Sequence, residues 1–276
     1  MNATPRHLLV RSLLLLLPVT ATCHAADGTN PPLPTVNPAQ SSPTPVPLKE
    51  TDPRLGSNGS SWGLQKAVIT DPSLPRVLLI GDSILGGYHA NVIKALHGRA
   101  NVDVWKNPYW QSDKVNQLLS RILENGPYDV IHANMGLHGW TDWGTPKARI
   151  QEGTFEPLTR AYIQIIRTKF PNARIIWATT TPLMIEEGGV RKLDPVKNPI
   201  ILEQNRMATK VMGEMNVEVD DLYPLVANRL QLARGGKDIA HLTPQGYVVL
   251  GDAVTRSVGK NLPVTSTAHP APASRP

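Results

Sequence analysis

The chain has 276 residues, 28 Lys and Arg against 22 Asp and Glu, a formal net charge of +6 and a single cysteine. One cysteine excludes a disulfide framework, and no cluster of Lys and Arg marks a nucleic-acid face. The positive excess is mild: it can favour acidic partners such as anionic polysaccharides, but solubility is the plainer explanation.

Residues 1–25 read as a secretory signal peptide. Arg6 and Arg11 supply the positive start, residues 13–19 the apolar stretch, broken by Pro18, and Cys23-His24-Ala25 a small-x-Ala cleavage site. The apolar stretch is shorter than the ~20 residues a membrane-spanning helix needs. No later segment qualifies, so no integral membrane segment is expected after cleavage. The expected location is outside the cytoplasm, periplasmic or extracellular. Cys23 also allows a lipoprotein anchor, which Thr22 before it disfavours. Residues 26–62 are crowded with Pro, Ser, Thr and Asn and read as a disordered linker, with 263–276 a similar tail. Residues 63–262 remain as one domain.

Strand and helix patterns alternate through that domain. Val77-Leu78-Leu79-Ile80 marks a buried strand over 76–80, closed by Gly81-Asp82-Ser83. A helix is predicted over 88–96, a strand over 102–105, a helix over 114–123 and a strand over 129–133. Apolar residues at helical spacing predict a helix over 158–170, and 174–178 is a fourth strand. Residues 186–199, with Glu186, Glu187, Arg191, Lys192 and Lys197, read as a solvated loop or a flap over substrate. A helix over 202–215, a short fifth strand over 217–219 and helices over 222–232 and 245–258 complete the pattern. Thr243 reads as the N-cap of the last helix, with Pro244 in its first position. Such alternation predicts an α/β fold, a three-layer α/β/α sandwich around a central, mainly parallel five-stranded sheet.

In sheets of this kind ligands bind at the carboxyl ends of the strands. Ser83 falls there, where a helix N-terminus offers free N–H groups to a developing anion. A serine needs a base to become a useful nucleophile. Asp238-Ile239-Ala240-His241, on a short loop just before the last helix, supplies His241 as base and Asp238 to orient it. His89, His97 and His132 have no partner at informative spacing and read as structural or surface residues. No His, Cys, Asp and Glu cluster has metal-ligand spacing, so neither a metal nor another cofactor is implied.

Gly81-Asp82-Ser83-Ile84 and Asp238-x-x-His241 together resemble the first and last blocks of the SGNH/GDSL hydrolase family, over about residues 76–257. The resemblance implies a flavodoxin-like SGNH hydrolase fold and ester cleavage. It also implies an oxyanion hole made by the nucleophile's N–H, a glycine N–H and an asparagine side chain. The middle blocks are variants. After the second strand comes Lys106-Asn107-Pro108-Tyr109-Trp110-Gln111-Ser112, without glycine, so a backbone N–H near Trp110 or Gln111 takes that place. After the third strand comes Asn134-Met135-Gly136-Leu137-His138, where either Asn134 or His138 fills the donor position.

Tyr109, Trp110, Trp140 and Trp143 fall on loops at the same edge, where aromatic faces suit sugar rings. With Asp82 and Gln111 they are the candidate substrate contacts. The expected function is a serine esterase acting on short acyl esters, O-acetyl groups on carbohydrate above all. Its partner is then a small-molecule or polysaccharide ester. The same residues would serve an O-acyltransferase, and a non-catalytic carbohydrate-binding protein on this scaffold is the third reading. Nothing in the sequence marks an oligomeric state.

Overall fold

The structure, a computed structural model, describes residues 63–69, 71–107, 113–135, 137 and 153–263. The expected signal peptide, Cys23, the linker and all of the tail but residue 263 lie outside the described residues. In chain order the elements are β1 (Gly63–Gln65), β2 (Arg76–Gly81), α1 (Ser83–Ala95), β3 (Asn101–Lys106), α2 (Asp113–Ile122) and β4 (Val130–Ala133). There follow α3 (Phe155–Lys169), β5 (Arg174–Ala178), β6 (Met184–Glu187), β7 (Val190–Leu193) and α4 (Asn198–Glu214). The chain then forms β8 (Glu218–Asp220), α5 (Tyr223–Ala227), β9 (Ala233–Gly235), β10 (Asp238–Leu242) and α6 (Pro244–Asn261). No described helix is long and apolar enough to cross a membrane.

The main sheet has the order β1-β3-β2-β4-β5-β8. Its pairings are parallel except that of β1 with β3. The five strands read from the sequence are the parallel ones. The sixth, β1, adds Leu64 opposite Trp105 at one edge, and three residues are too few to show a periodic pattern.

Val77, Leu78, Leu79 and Ile80 are fully buried, as a central parallel strand covered on both faces requires. Alternation sends Val77 and Leu79 towards Tyr88 and Val92 of α1 and Leu250 and Val254 of α6. Leu78 and Ile80 face the other layer, with Leu119 of α2, Ile163 of α3 and Val211 of α4. The three layers are those the sequence predicts. Each such buried aliphatic side chain contributes roughly 1.5–3 kcal/mol over its exposed state.

Two contacts hold the layers and the strands together. On α1, a Cβ at Gly87 would lie 2.1 Å from Cε1 of Tyr247 on α6. Gly87→Ala is therefore expected to destabilise the protein by about 1–3 kcal/mol through overpacking. That cost outweighs the ~1 kcal/mol by which alanine is the better helix former. Urea unfolding measures it, and a midpoint at or above that of the parent chain would contradict the close approach. The second contact is buried Asp103 on β3. Its carboxylate accepts hydrogen bonds from Arg76 Nη2 (2.5 Å), the Tyr128 hydroxyl (2.7 Å) and the Ala67 N–H (2.8 Å). The Arg76 guanidinium also lies over the Tyr128 ring, 5.0 Å from its centre. Burial, and then Asp103 itself, push the Tyr128 hydroxyl well above its ordinary pKa, so it remains a donor.

Three local expectations are corrected. The helix expected over 222–232 is interrupted: α5 ends at Ala227, Arg229 leaves helical conformation, and Leu230–Leu232 forms a separate 3₁₀ turn. Within 186–199, the part expected to be a loop or flap begins in the β6–β7 hairpin, with Glu187 opposite Val190. Gly188 and Gly189, both at positive φ, make its two-residue turn. Residues 238–241 are likewise no loop: β10 pairs antiparallel with β9.

Candidate active site

β2 ends at Gly81 and α1 begins at Ser83, with Asp82 between them as N-cap. Asp82 Oδ1 accepts the Ile84 N–H at 2.8 Å, which satisfies a donor that the helix cannot. Asp82, read as a candidate substrate contact, is only 4% exposed and uses Oδ1 to cap the helix. Ser83 is the first helical residue. Its own N–H has no carbonyl within the helix to bond, and it sits at the positive end of the helix dipole.

Asp238 and His241 reach Ser83 from β10. In a regular strand, residues three apart point to opposite faces. Here Asp238 pairs with Gly235 and Leu242 with Ala233, so four steps along β10 face only two along β9. The strand bulges between them. The bulge turns the N–H groups of Ala240 and His241 towards Asp238 Oδ1, at 3.3 and 3.0 Å. It also brings the imidazole back over the carboxylate, with Nδ1 3.0 Å from Oδ1 and 3.2 Å from Oδ2. The far nitrogen, Nε2, lies 2.9 Å from Ser83 Oγ. With Nδ1–H donating to the carboxylate, Nε2 carries the lone pair and accepts the serine hydroxyl. Thr243 caps α6 by accepting the Gly246 N–H at 3.1 Å, and Pro244 opens the helix, which fixes the exit of β10.

Burial alone would raise the pKa of Asp238. The N–H groups of His241 and Ala240 and the His241 ring outweigh it and hold the carboxyl below its usual value. Asp238 therefore stays ionised through the weakly acidic range and keeps its grip on Nδ1–H.

The remaining candidates divide. The Asn134 N–H continues the ladder to Ile80 O at 2.9 Å. Its side-chain Nδ2 donates to Ala178 O at 2.8 Å and Thr179 O at 3.2 Å, tying β4 to the end of β5. Tyr109, Trp110, Gln111, His138, Trp140 and Trp143 lie outside the described residues. His132 is buried, with Nε2 3.1 Å from Asp220 Oδ2, and links β4 to β8. The His89 ring nitrogen Nδ1 lies 2.9 Å from Gly86 O. Burial, helped by Lys106, holds its pKa below the usual imidazole value. His97 is exposed. Among the described residues no three His, Cys, Asp or Glu side chains gather to hold a metal ion.

Sequence reasoning missed what shapes the wall beside β5. Asn205 on α4 accepts the Thr180 N–H at 2.8 Å and donates to Thr180 O at 2.9 Å. Asn198 does the same for Leu183, at 3.2 and 2.5 Å. Both amides are buried and act as a strand partner for a loop that has none. Their signal was present: 198 and 205 fall on the helical stripe that also holds Ile201, Ala208 and Met212.

No protein-family model matches the sequence, and no curated protein matches it. Solved structures do match in shape. A lipase/acylhydrolase from Enterococcus faecalis superimposes with a TM-score of 0.52 and 20% identity, over 69% of this chain and 98% of that one. Axe2, an acetylxylan esterase from Geobacillus stearothermophilus, gives 0.52 and 18%, over 67% and 94%. A protein from Slackia heliotrinireducens, provisionally described as an SGNH hydrolase, gives 0.50 and 13%, over 67% and 100%.

Proposed function

We propose that this chain, which has the fold of the SGNH hydrolases, is a serine esterase that removes short acyl groups, O-acetyl groups on carbohydrate first among them. The observation that carries the reading is the unbroken line of hydrogen bonds from Asp238 through His241 to Ser83 Oγ, at the strand edge where this fold binds ligands. A fold shared with an acetylxylan esterase supports the carbohydrate ester. Residues 1–25, read as an export signal, agree with a polymeric substrate met outside the cytoplasm.

In this mechanism Ser83 Oγ attacks the ester carbonyl while its proton passes to His241 Nε2. Asp238 stabilises the imidazolium that forms. The Ser83 N–H donates to the oxyanion, with a backbone N–H near Trp110. The third donor is assigned to His138 in preference to Asn134, whose amide already donates to Ala178 and Thr179. His241 then returns the proton to the departing alcohol oxygen, leaving an acyl ester on Ser83. Water, deprotonated by His241, attacks that ester and releases the acid.

The test is acid release from acetylated xylan and from p-nitrophenyl acetate through octanoate. Acetate release from both polymer and aryl ester is expected, falling with acyl length. Trp140→Ala or Trp143→Ala should raise KM for the polymer and spare p-nitrophenyl acetate, because a sugar platform does not touch a small aryl ester. Equal losses on both substrates would remove the carbohydrate reading. A chain that releases acid from no ester would remove the esterase.

A further inference from the structure

β6–β7 and β9–β10 are two separate hairpins outside the main sheet. A lone two-stranded hairpin is marginal in water, yet β9–β10 carries both Asp238 and His241. Two side chains of the other hairpin reach across to it. Glu186 and Arg191 face one another across β6–β7, with Arg191 Nε 4.0 Å from Glu186 Oε2. Arg191 Nη1 donates to Gln231 O at 3.1 Å, and Nη2 to Arg234 O at 3.0 Å. Glu186 Oε2 accepts the Gly236 N–H at 2.8 Å. The pair thus holds the backbone on both sides of Gly235, which is the pairing partner of Asp238. Gly235 is pressed against it: a Cβ there would lie 2.5 Å from Glu186 Oε2 and 2.6 Å from Arg191 Nε, at a φ of +80°. One of the two carbonyls that Arg191 holds belongs to Arg234, whose Nη1 lies 3.6 Å from Asp238 Oδ2.

We propose that Glu186 and Arg191 are positioning residues, a clamp that fixes the β9–β10 turn and so aims Asp238 and His241 at Ser83. The physical case rests on the kind of bond. An exposed ion pair by itself adds little, but here both charges are satisfied by backbone groups in and on either side of β9. A guanidinium fork can bond two carbonyls at once, which an ammonium cannot. The inference rests on the esterase reading only in taking Ser83 as an activated nucleophile.

The readout is the rate at which a small alkyl fluorophosphonate labels Ser83 in the full chain, with the melting temperature recorded beside it. In that reaction the Ser83 Oγ–P bond forms, the P–F bond breaks, fluoride leaves and His241 takes the serine proton. Arg191→Ala is expected to slow labelling by about ten- to a hundredfold, the cost of a small misplacement of reacting groups, with the melting temperature nearly unchanged. Arg191→Lys should fall between. Glu186→Gln keeps an acceptor for the Gly236 N–H and should label at the parent rate, while Glu186→Ala should not. In a His241→Ala background, Arg191→Ala should change nothing further, because nothing is left to aim. Parent-rate labelling of Arg191→Ala would overturn the clamp. So would an equal loss in the His241→Ala background, which marks general damage. A chain that labels at Ser83 but cleaves no ester would refute the esterase and leave the clamp intact. A chain that does not label would overturn both.

Discussion

Ser83→Ala is expected to lower ester hydrolysis by about 10⁴- to 10⁶-fold, with thermal unfolding almost unmoved. Removing Oγ deletes the atom that attacks and leaves the packing intact, since Ser83 is a partly exposed first residue of α1. His241→Ala should cost about as much, because Nε2 at 2.9 Å is the proton acceptor the structure brings to Oγ. The two losses should not multiply. Once either member is gone the other has no proton to exchange, and the double variant should fall little below each single one. Kinetics on p-nitrophenyl acetate, with active-site titration to exclude parent enzyme, decide it. Multiplying losses, or an active Ser83→Ala enzyme, would break the mechanism.

Asp103→Ala should give the largest loss of stability, about 3–5 kcal/mol, the scale for breaking a buried pair by removing one partner. Asp103 is fully buried, and three donors converge on it. Without the carboxylate, Arg76 keeps a bond to Asn125 O, but Tyr128 and Ala67 lose the acceptor they share. An unpaired buried donor costs its full desolvation. Asp103→Asn, which keeps an acceptor, should lose less. Urea unfolding of both variants provides the measurement, and a loss under about 1 kcal/mol for Asp103→Ala would show that water replaces the carboxylate. Hydrolysis per folded molecule should not change in either variant.

The layers and the five parallel strands were legible because apolar runs such as 77–80 are long and bounded by turn residues. Ser83, Asp238 and His241 were picked out by motif and position, Ser83 directly after a buried strand and the other two just before the last helix. Both small hairpins escaped notice although each has a Gly-Gly pair, at 188–189 and 235–236. The short polar segments around these pairs alternate too weakly to show a strand, and the turn chemistry was the only signal. The N-cap role of Asp82 went unread, although the sequence places it directly before a helix N-terminus, where an acidic side chain caps. The clamp could not be read at all. Glu186 and Arg191 act on backbone atoms some forty to fifty residues away, and a backbone acceptor leaves no residue-type signature.

The bulge in β10 has a consequence for how activity appears during folding. His241 meets its carboxylate three residues away but meets Ser83 across 158 residues. The acid–base pair therefore belongs to local contact order, and the nucleophile contact to the most distant kind, which closes late because chain entropy opposes it. A chain caught part-way through folding can hold Asp238 against His241 and still be inert. Return of hydrolysis after dilution from denaturant is therefore expected to follow the docking of α1 against β10 and to be among the last signals to recover.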